Sequence, residues 1–347
     1  METKNKFKLF LPKITEDSNS KITVLSADVR SNVTYIALYE TVDKKVVQKH
    51  ESSYPTEDFA SFSEIANRFI SDFSLSGISK IAVAVPGPVI GGKSAPVRLP
   101  WTLDSEEIKA KTQVEKVYLI NDMEASSYGL GNVDESNFLT IHQSDNFIPG
   151  NIAVLAPGAG LGEAGLFWDG DCLRPFATEG GHCEFSPRTN EEIEFYQFLQ
   201  KIYHIVTWES VLSTSGLFNI YRFLRDVKQQ PQPEWLTKEI EADNFTDALI
   251  NGALENKDRI CKMTVDAYIM YLAREANSLV LKLKATGGLF LSGEIPVKLQ
   301  QYLKNDKFYK SFIVSDKMEV VLKDIPIYLV KDEKTIINGA ALYAAFS

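Results

Sequence analysis

The chain is poor in cysteine, in positive charge and in long apolar runs. Its 347 residues hold only Cys172, Cys183 and Cys261, an odd and widely spaced set with no CxxC pair. A disulfide framework is therefore not expected, and a reducing cytoplasm fits the composition. The four histidines are His50, His142, His182 and His204, and only His182 stands beside a cysteine, too close to read as a structural-zinc pair. Lysine and arginine number 37 against 46 acids, a net charge of −9. That balance supplies no basic field for nucleic-acid phosphates or an anionic membrane surface, so neither partner is expected. Residues 1–20 carry lysines around one short apolar patch (Phe7, Leu9, Phe10, Leu11), too short for a signal-peptide core or a membrane span. They read as a polar extension. Two nucleotide signatures are also missing: no Gly-Lys-Ser/Thr follows the glycine turn at Pro157–Gly162, and the spacing there is not a Rossmann fingerprint.

With 44% hydrophobic residues, the chain can bury substantial cores, and its length favours about two domains. Ile22–Ala27, Val33–Tyr39 and Val46–Ser52 read as successive strands, rich in β-branched and aromatic residues. Asp58–Phe73 follows with Phe59, Phe62, Ile65, Ala66, Phe69, Ile70 and Phe73 at three- and four-residue steps, one buried helical face. Short buried strands are expected at Ile81–Val85 and Val117–Ile120. The order then repeats: strands at Ile152–Ala156, Ala164–Trp168 and Cys172–Ala177, a long core helix at Cys261–Leu283 and a strand at Gly288–Ser292. A last helix is expected at Glu333–Ala345, capped by Asp332. This is a weak repeat of element order, not of residues, and it predicts a duplicated β-β-β-α-β-α core with a cleft between halves. The expected division is an extension at 1–20, a small α/β domain of 21–120 plus 332–347, and a large α/β domain of 121–331.

Five places can carry chemistry. Asn121-Asp122 ends an apolar run at the carboxyl end of a predicted strand, where α/β folds open their clefts. A carboxylate there can accept the proton of an attacking hydroxyl, and the same pair can equally serve as a helix cap. In Glu179-Gly180-Gly181-His182 the glycines allow positive φ, aiming an acid and an imidazole at one point. Such a pair grips adjacent hydroxyls with directional bonds; the alternative is a plain glycine turn with His182 satisfied by backbone. The turn Pro157-Gly158-Ala159-Gly160-Leu161-Gly162 can point amides at a phosphate or be an ordinary hairpin. Asp28 closes the first strand, where its carboxylate can orient hydrated Mg²⁺ or simply end a turn. Glu209, beside Trp208, also reads as a helix-start carboxylate.

In their order, these motifs resemble those of the bacterial-type glucokinase family of the actin-like ATPase (ribonuclease H-like) superfamily, from about Lys21 to the C-terminus. Leu99-Pro100-Trp101, Asn121 to Ala125, Pro157 to Gly162, Glu179 to His182 with Phe185 to Arg188, and Glu209 to Ser213 with Gly216-Leu217 carry the likeness. The resemblance implies a two-lobed hexose kinase using ATP and Mg²⁺. Asp122 would be the general base, and Asn121, Glu179, His182 and Glu209 would hold the glucose hydroxyls. Gly158, Gly160, Gly162 and Gly293 would face the nucleotide, with Asp28 at the Mg²⁺ and a homodimer as a further expectation. The related ROK kinases carry a cysteine-rich zinc motif that is absent here, which favours the glucokinase branch. The departures fall on the nucleotide side. Where the family has Asp-Ile-Gly-Gly-Thr-Asn, this chain reads Asp28-Val29-Arg30-Ser31-Asn32-Val33. Ala159 replaces a threonine, Glu294 follows Gly293 in place of a glycine-rich stretch, and Arg98 precedes Leu-Pro-Trp where asparagine is usual. Arg30 can instead meet a phosphate through its own guanidinium. These changes keep two alternatives open: a sugar-binding protein with little or no turnover, and a kinase for another sugar or donor.

Overall fold

The computed structural model describes residues 8–12, 21–42 and 44–347. The first sheet is built from β1 (Thr23–Val29), β2 (Val33–Val42), β3 (Lys45–Pro55), β4 (Lys80–Val85) and, after a two-residue pair of β5 (Lys93–Ser94) with β6 (Leu103–Asp104), β7 (Lys116–Asn121). Its order is β3-β2-β1-β4-β7, antiparallel on the hairpin side and parallel from β1 through β4 to β7. β4 is buried at every position and β1 from Val24 onward, as expected of parallel strands covered on both faces. One face packs Leu25, Ala27, Val83 and Val85 against Phe62, Ala66 and Phe69 of the helix Phe62–Asp72. That helix starts four residues later than its apolar spacing predicts, because Ser61 caps it by accepting the Glu64 amide, while Thr56–Asp58 forms a separate short turn. The other face is bonded to the C-terminal helix Thr335–Phe346: Ser26 Oγ donates to the Ile337 carbonyl at 2.7 Å, and Tyr39 donates to Asn338 Oδ1 at 2.7 Å. Asp332 does not cap this helix; its Oδ1 accepts the Lys334 amide at 2.8 Å, one turn ahead of the helix start.

The second sheet takes β8 (Phe138–His142), β9 (Ile152–Pro157), β10 (Leu161–Trp168), β11 (Leu173–Ala177), β12 (Gly288–Leu291) and β13 (Ile327–Val330) in the order β11-β10-β9-β12-β13-β8. Without β8 this repeats β3-β2-β1-β4-β7, so the duplicated core expected from element order is present. Its core gathers Leu155, Leu289, Leu291 and Leu329 with Tyr268, Leu272 and Ala276 of the helix Arg259–Leu283.

The chain divides into two compact units: residues up to Asn137 with Ala164–Thr178 and Asp332–Ser347, and Phe138–Glu163 with Glu179–Lys331. The first unit runs past residue 120 because the helix Asp122–Gly129 packs on the C-terminal helix: a Cβ on Gly339 would lie 1.7 Å from the Ala125 carbonyl oxygen. Most of the 1–20 extension lies outside the described residues. Residues 8–12 are no polar lead-in: Leu9 and Leu11 are buried, and Phe10 donates its amide to Leu173 of β11.

Candidate active site

In the first unit, β1 ends by burying Asp28, 4% exposed, and the hairpin to β2 returns Arg30 to it. Arg30 Nε and Nη2 donate to Asp28 Oδ2 at 2.9 and 2.7 Å. Burial raises the Asp28 pKa against the opposing pull of Arg30. Burial alone would lower the Arg30 pKa, but the charges of Asp28, Tyr35 and Asp122 hold it above its ordinary value.

β7 delivers Asn121 and Asp122 to the start of the helix Asp122–Gly129, so the base candidate and the cap are neighbours. Asn121 Oδ1 accepts the amides of Met123 and Glu124 at 2.9 and 3.1 Å, and its Nδ2 donates to the Gly87 carbonyl at 3.1 Å. Asn121 is thus a cap that is locked from both ends of its amide. Asp122 Oδ1 accepts the Met123 amide at 2.8 Å, which fixes the carboxylate at the positive end of the helix.

In the second unit the glycine turn joins β9 to β10. None of Gly158, Gly160 and Gly162 has positive φ, and the Gly158 amide donates to the Gly160 carbonyl at 2.9 Å. The Leu161 amide is also committed, to Glu209 Oε2 at 3.1 Å. The expected concave nest of amides is therefore not formed as such, although space remains at Gly158, where an added Cβ would meet nothing within 4 Å. Gly293, at φ +88°, backs onto the turn: its Cβ would lie 2.5 Å from the Pro157 carbonyl oxygen. Glu209 opens the short helix Glu209–Leu212, so the helix-start reading holds, and its carboxylate is also wired to the glycine turn.

Gly180–His182 is a single 3-10 turn, and neither Gly180 nor Gly181 has positive φ. Their small size is used for close approach. A Cβ on Gly180 would sit 2.0 Å from Glu163 Oε2, and one on Gly181 would sit 2.2 Å from the Leu161 carbonyl oxygen. The segment after the turn is locked by Phe185, which donates its amide to Val206 at 2.9 Å and meets Trp208 edge-on at 5.0 Å. Arg274, buried on the long helix, pairs with Glu192 at 2.6 Å and donates to the Ser186 carbonyl at 2.6 Å. On this braced turn the Glu179 and His182 side chains are exposed, and neither makes a hydrogen bond among the described residues. His182 is accordingly not satisfied by backbone.

Beneath the turn, Glu163 is 2% exposed, and burial pushes its pKa up to about 8, helped by the charge of Glu275 and opposed by Lys282. Burial likewise pushes Glu275 up to about 7 against Lys282, which stands 3.2 Å away. Glu163 and Arg274 escaped the sequence reading. Glu163 follows Gly162 directly and could have been suspected as an acid inside a strand-like apolar run; Arg274 lay unmarked in a helix read as core.

Among the described residues no group of three or more His, Cys, Asp or Glu side chains is placed to hold a metal. Asp28, expected at the Mg²⁺, already has Oδ2 bonded twice by Arg30. A contact of Asp28 with hydrated Mg²⁺ would fall to Oδ1.

The glucokinase family model matches residues 25–346. A glucokinase of Nostoc punctiforme is 29% identical over 336 residues, 93% of this chain and 98% of that protein. A glucokinase of Saccharophagus degradans is 30% identical over 261 residues, 75% of this chain and 78% of that protein. The crystal structure of a glucokinase from an Antarctic psychrotroph superposes with TM-score 0.78 at 25% identity, covering 94% of this chain and 99% of that one. The glucokinase of Balamuthia mandrillaris in complex with glucose shares the fold, with TM-score 0.76 at 18% identity over 97% of each chain. With a family match that spans nearly the whole chain and a strand order that recurs in two sheets, the chain belongs to the glucokinase family: it is a hexose kinase of the actin-like ATPase fold.

Proposed function

We propose that this hexose kinase phosphorylates glucose at its 6-hydroxyl with Mg-ATP as donor. The observation that carries the reading is the Glu179–His182 pair, two exposed side chains that bond no side chain or backbone group among the described residues, on a turn whose backbone is locked. A carboxylate accepts from a sugar hydroxyl and an imidazole can donate or accept, so the pair suits adjacent hydroxyls. Glu209 holds a further hydroxyl with its carboxylate, which also accepts the Leu161 amide, and Asn121 does so with its remaining amide hydrogen. Asp122 accepts the proton of the 6-hydroxyl as its oxygen bonds the γ-phosphorus and the bond to ADP breaks. Because this transfer needs little covalent chemistry from the protein, positioning supplies most of the rate. Gly158, Gly160, Gly162 and Gly293 face the nucleotide in this proposal, with Gly158 offering the open approach. The cytoplasm, where hexoses and ATP meet, is the proposed location, and a homodimer is a proposal for sedimentation to test. No helix among the described residues is long and apolar enough to cross a membrane.

The test is a coupled assay of the purified chain across hexoses and phosphate donors. Turnover should be fastest with glucose and ATP; turnover only with another sugar or donor moves the specificity, and its absence throughout removes the proposal. One observation favours a second reading, a sugar binder with little turnover: Arg30 already satisfies Asp28, and two amides of the glycine turn are committed. Calorimetric titration with glucose and with Mg-ATP separates the two, since the binder would take the sugar alone.

A further inference from the structure

A carboxylate as buried as Asp28 must be paired, and Arg30 pairs it with only one edge of its guanidinium. Nε and Nη2 are engaged, while Nη1 makes no hydrogen bond among the described residues. The Arg30 side chain remains 46% exposed, with its Cζ over the Tyr35 ring at 4.9 Å from the centroid. The hairpin tip beneath it is pinned. The Arg30 amide donates to Val33 at 3.1 Å, Thr56 Oγ1 donates to the Arg30 carbonyl at 2.7 Å, and the Thr56 amide donates to Asn32 at 3.1 Å. The tip therefore presents no glycine amide to an anion, and the Arg30 amide is already used. What it does present is an oriented cation within electrostatic reach of Asp122, the proposed base.

We propose that Arg30, anchored on Asp28, binds the phosphoryl groups of the nucleoside triphosphate donor through its unengaged Nη1 edge. The proposal rests on the hexose-kinase reading and moves one phosphate contact from a backbone loop to a side chain. A guanidinium suits this role: it stays charged, its fork matches phosphate oxygens, and the Asp28 and Tyr35 contacts restrict its motion before the ligand arrives.

The test is calorimetry on the full chain with adenosine and with a non-hydrolysable ATP analogue, each in EDTA and in Mg²⁺. Arg30→Gln should lose about tenfold or more in analogue affinity with adenosine and glucose affinity unchanged, the size of one charge-assisted contact. Arg30→Lys should recover only part of the loss. Because Arg30→Gln leaves Asp28 buried and unpaired, Asp28→Asn/Arg30→Gln serves as the second variant: it should keep glucose binding and still lose analogue affinity. Unchanged analogue affinity in the double variant overturns the proposal. So does a Mg²⁺-dependent gain in Arg30→Gln that Asp28→Asn abolishes, which would give Asp28 to hydrated Mg²⁺. A wild type that turns over glucose while its Arg30 variants bind the analogue normally defeats this proposal alone; a wild type that neither binds the analogue nor phosphorylates a sugar defeats the hexose-kinase reading with it.

Discussion

Two turns in this molecule each offer an acid and a base, and they treat them in opposite ways. At Glu179–His182 the backbone is crowded and fixed, while both side chains are exposed and hydrogen-bond nothing among the described residues. At Asp28–Arg30 the side chains satisfy each other, and Asp28 is buried. The first arrangement leaves hydrogen-bonding capacity for a polyhydroxyl ligand. The second has used most of its own, keeping one outward guanidinium edge, so a ligand there must meet a cation rather than a glycine loop.

The largest expected effect falls on neither turn. Asp122→Asn keeps the shape at the helix start but removes the proton acceptor, so kcat should fall by about 10²–10⁴ while glucose affinity stays close to wild type. Steady-state kinetics beside a glucose titration would show it, and a kcat within a few-fold of wild type would discard Asp122 as base. Next comes Gly181→Ala. Its Cβ would lie 2.2 Å from the Leu161 carbonyl oxygen, a backbone atom, so the turn must shift. A stability loss of about 1–3 kcal/mol and a clear rise in sugar KM are expected. A tolerated substitution with normal KM would mean that the locked backbone does not position the pair.

The buried acid below the turn gives a pH effect of defined sign. The Glu163 pKa is raised to about 8 from an ordinary value of 4.5, so the folded state holds a proton that the unfolded chain has released. The stability this contributes is complete below the unfolded value and is lost as pH rises through the folded one. Glu275, raised to about 7, acts in the same direction. The melting temperature of the wild type should therefore decline between about pH 5 and pH 8, and Glu163→Gln, neutral throughout, should flatten that decline. Parallel curves for the two proteins would show that Glu163 is ionised in the fold. The smallest effect is expected for Gly158→Ala. Here φ is not positive and the Cβ meets nothing within 4 Å, so stability should change by less than about 1 kcal/mol, while nucleotide KM rises if phosphate approaches there.

Much of this fold could be read from periodicity. The expected Cys261–Leu283 helix runs Arg259–Leu283, and the expected strand Ile81–Val85 runs Lys80–Val85, because long or fully apolar runs leave little choice of element. Boundaries failed where a local hydrogen bond decides them: Ser61 moves one helix start to Phe62, and the last helix begins at Thr335 rather than beside Asp332. β8 and β13 went unread, the first half-polar and only partly buried, the second four residues long. At the candidate site, Glu179 and His182 were legible as types on a glycine turn. The way the glycines serve was not, since positive φ was expected and close packing against Glu163 and Leu161 was found. That packing joins residues distant in sequence, as does the Arg274–Glu192 pair, and neither leaves a periodic trace.

The central claim is that the Glu179–His182 pair is held open for a sugar. Glucose titration and thermal melting of His182→Ala beside wild type test it most directly. The exposed imidazole, which hydrogen-bonds nothing among the described residues, should leave the melting temperature unchanged when removed, while glucose affinity falls by roughly ten- to a hundredfold, the size of a lost directional contact of about 1–3 kcal/mol. A lowered melting temperature with wild-type glucose affinity would contradict the account.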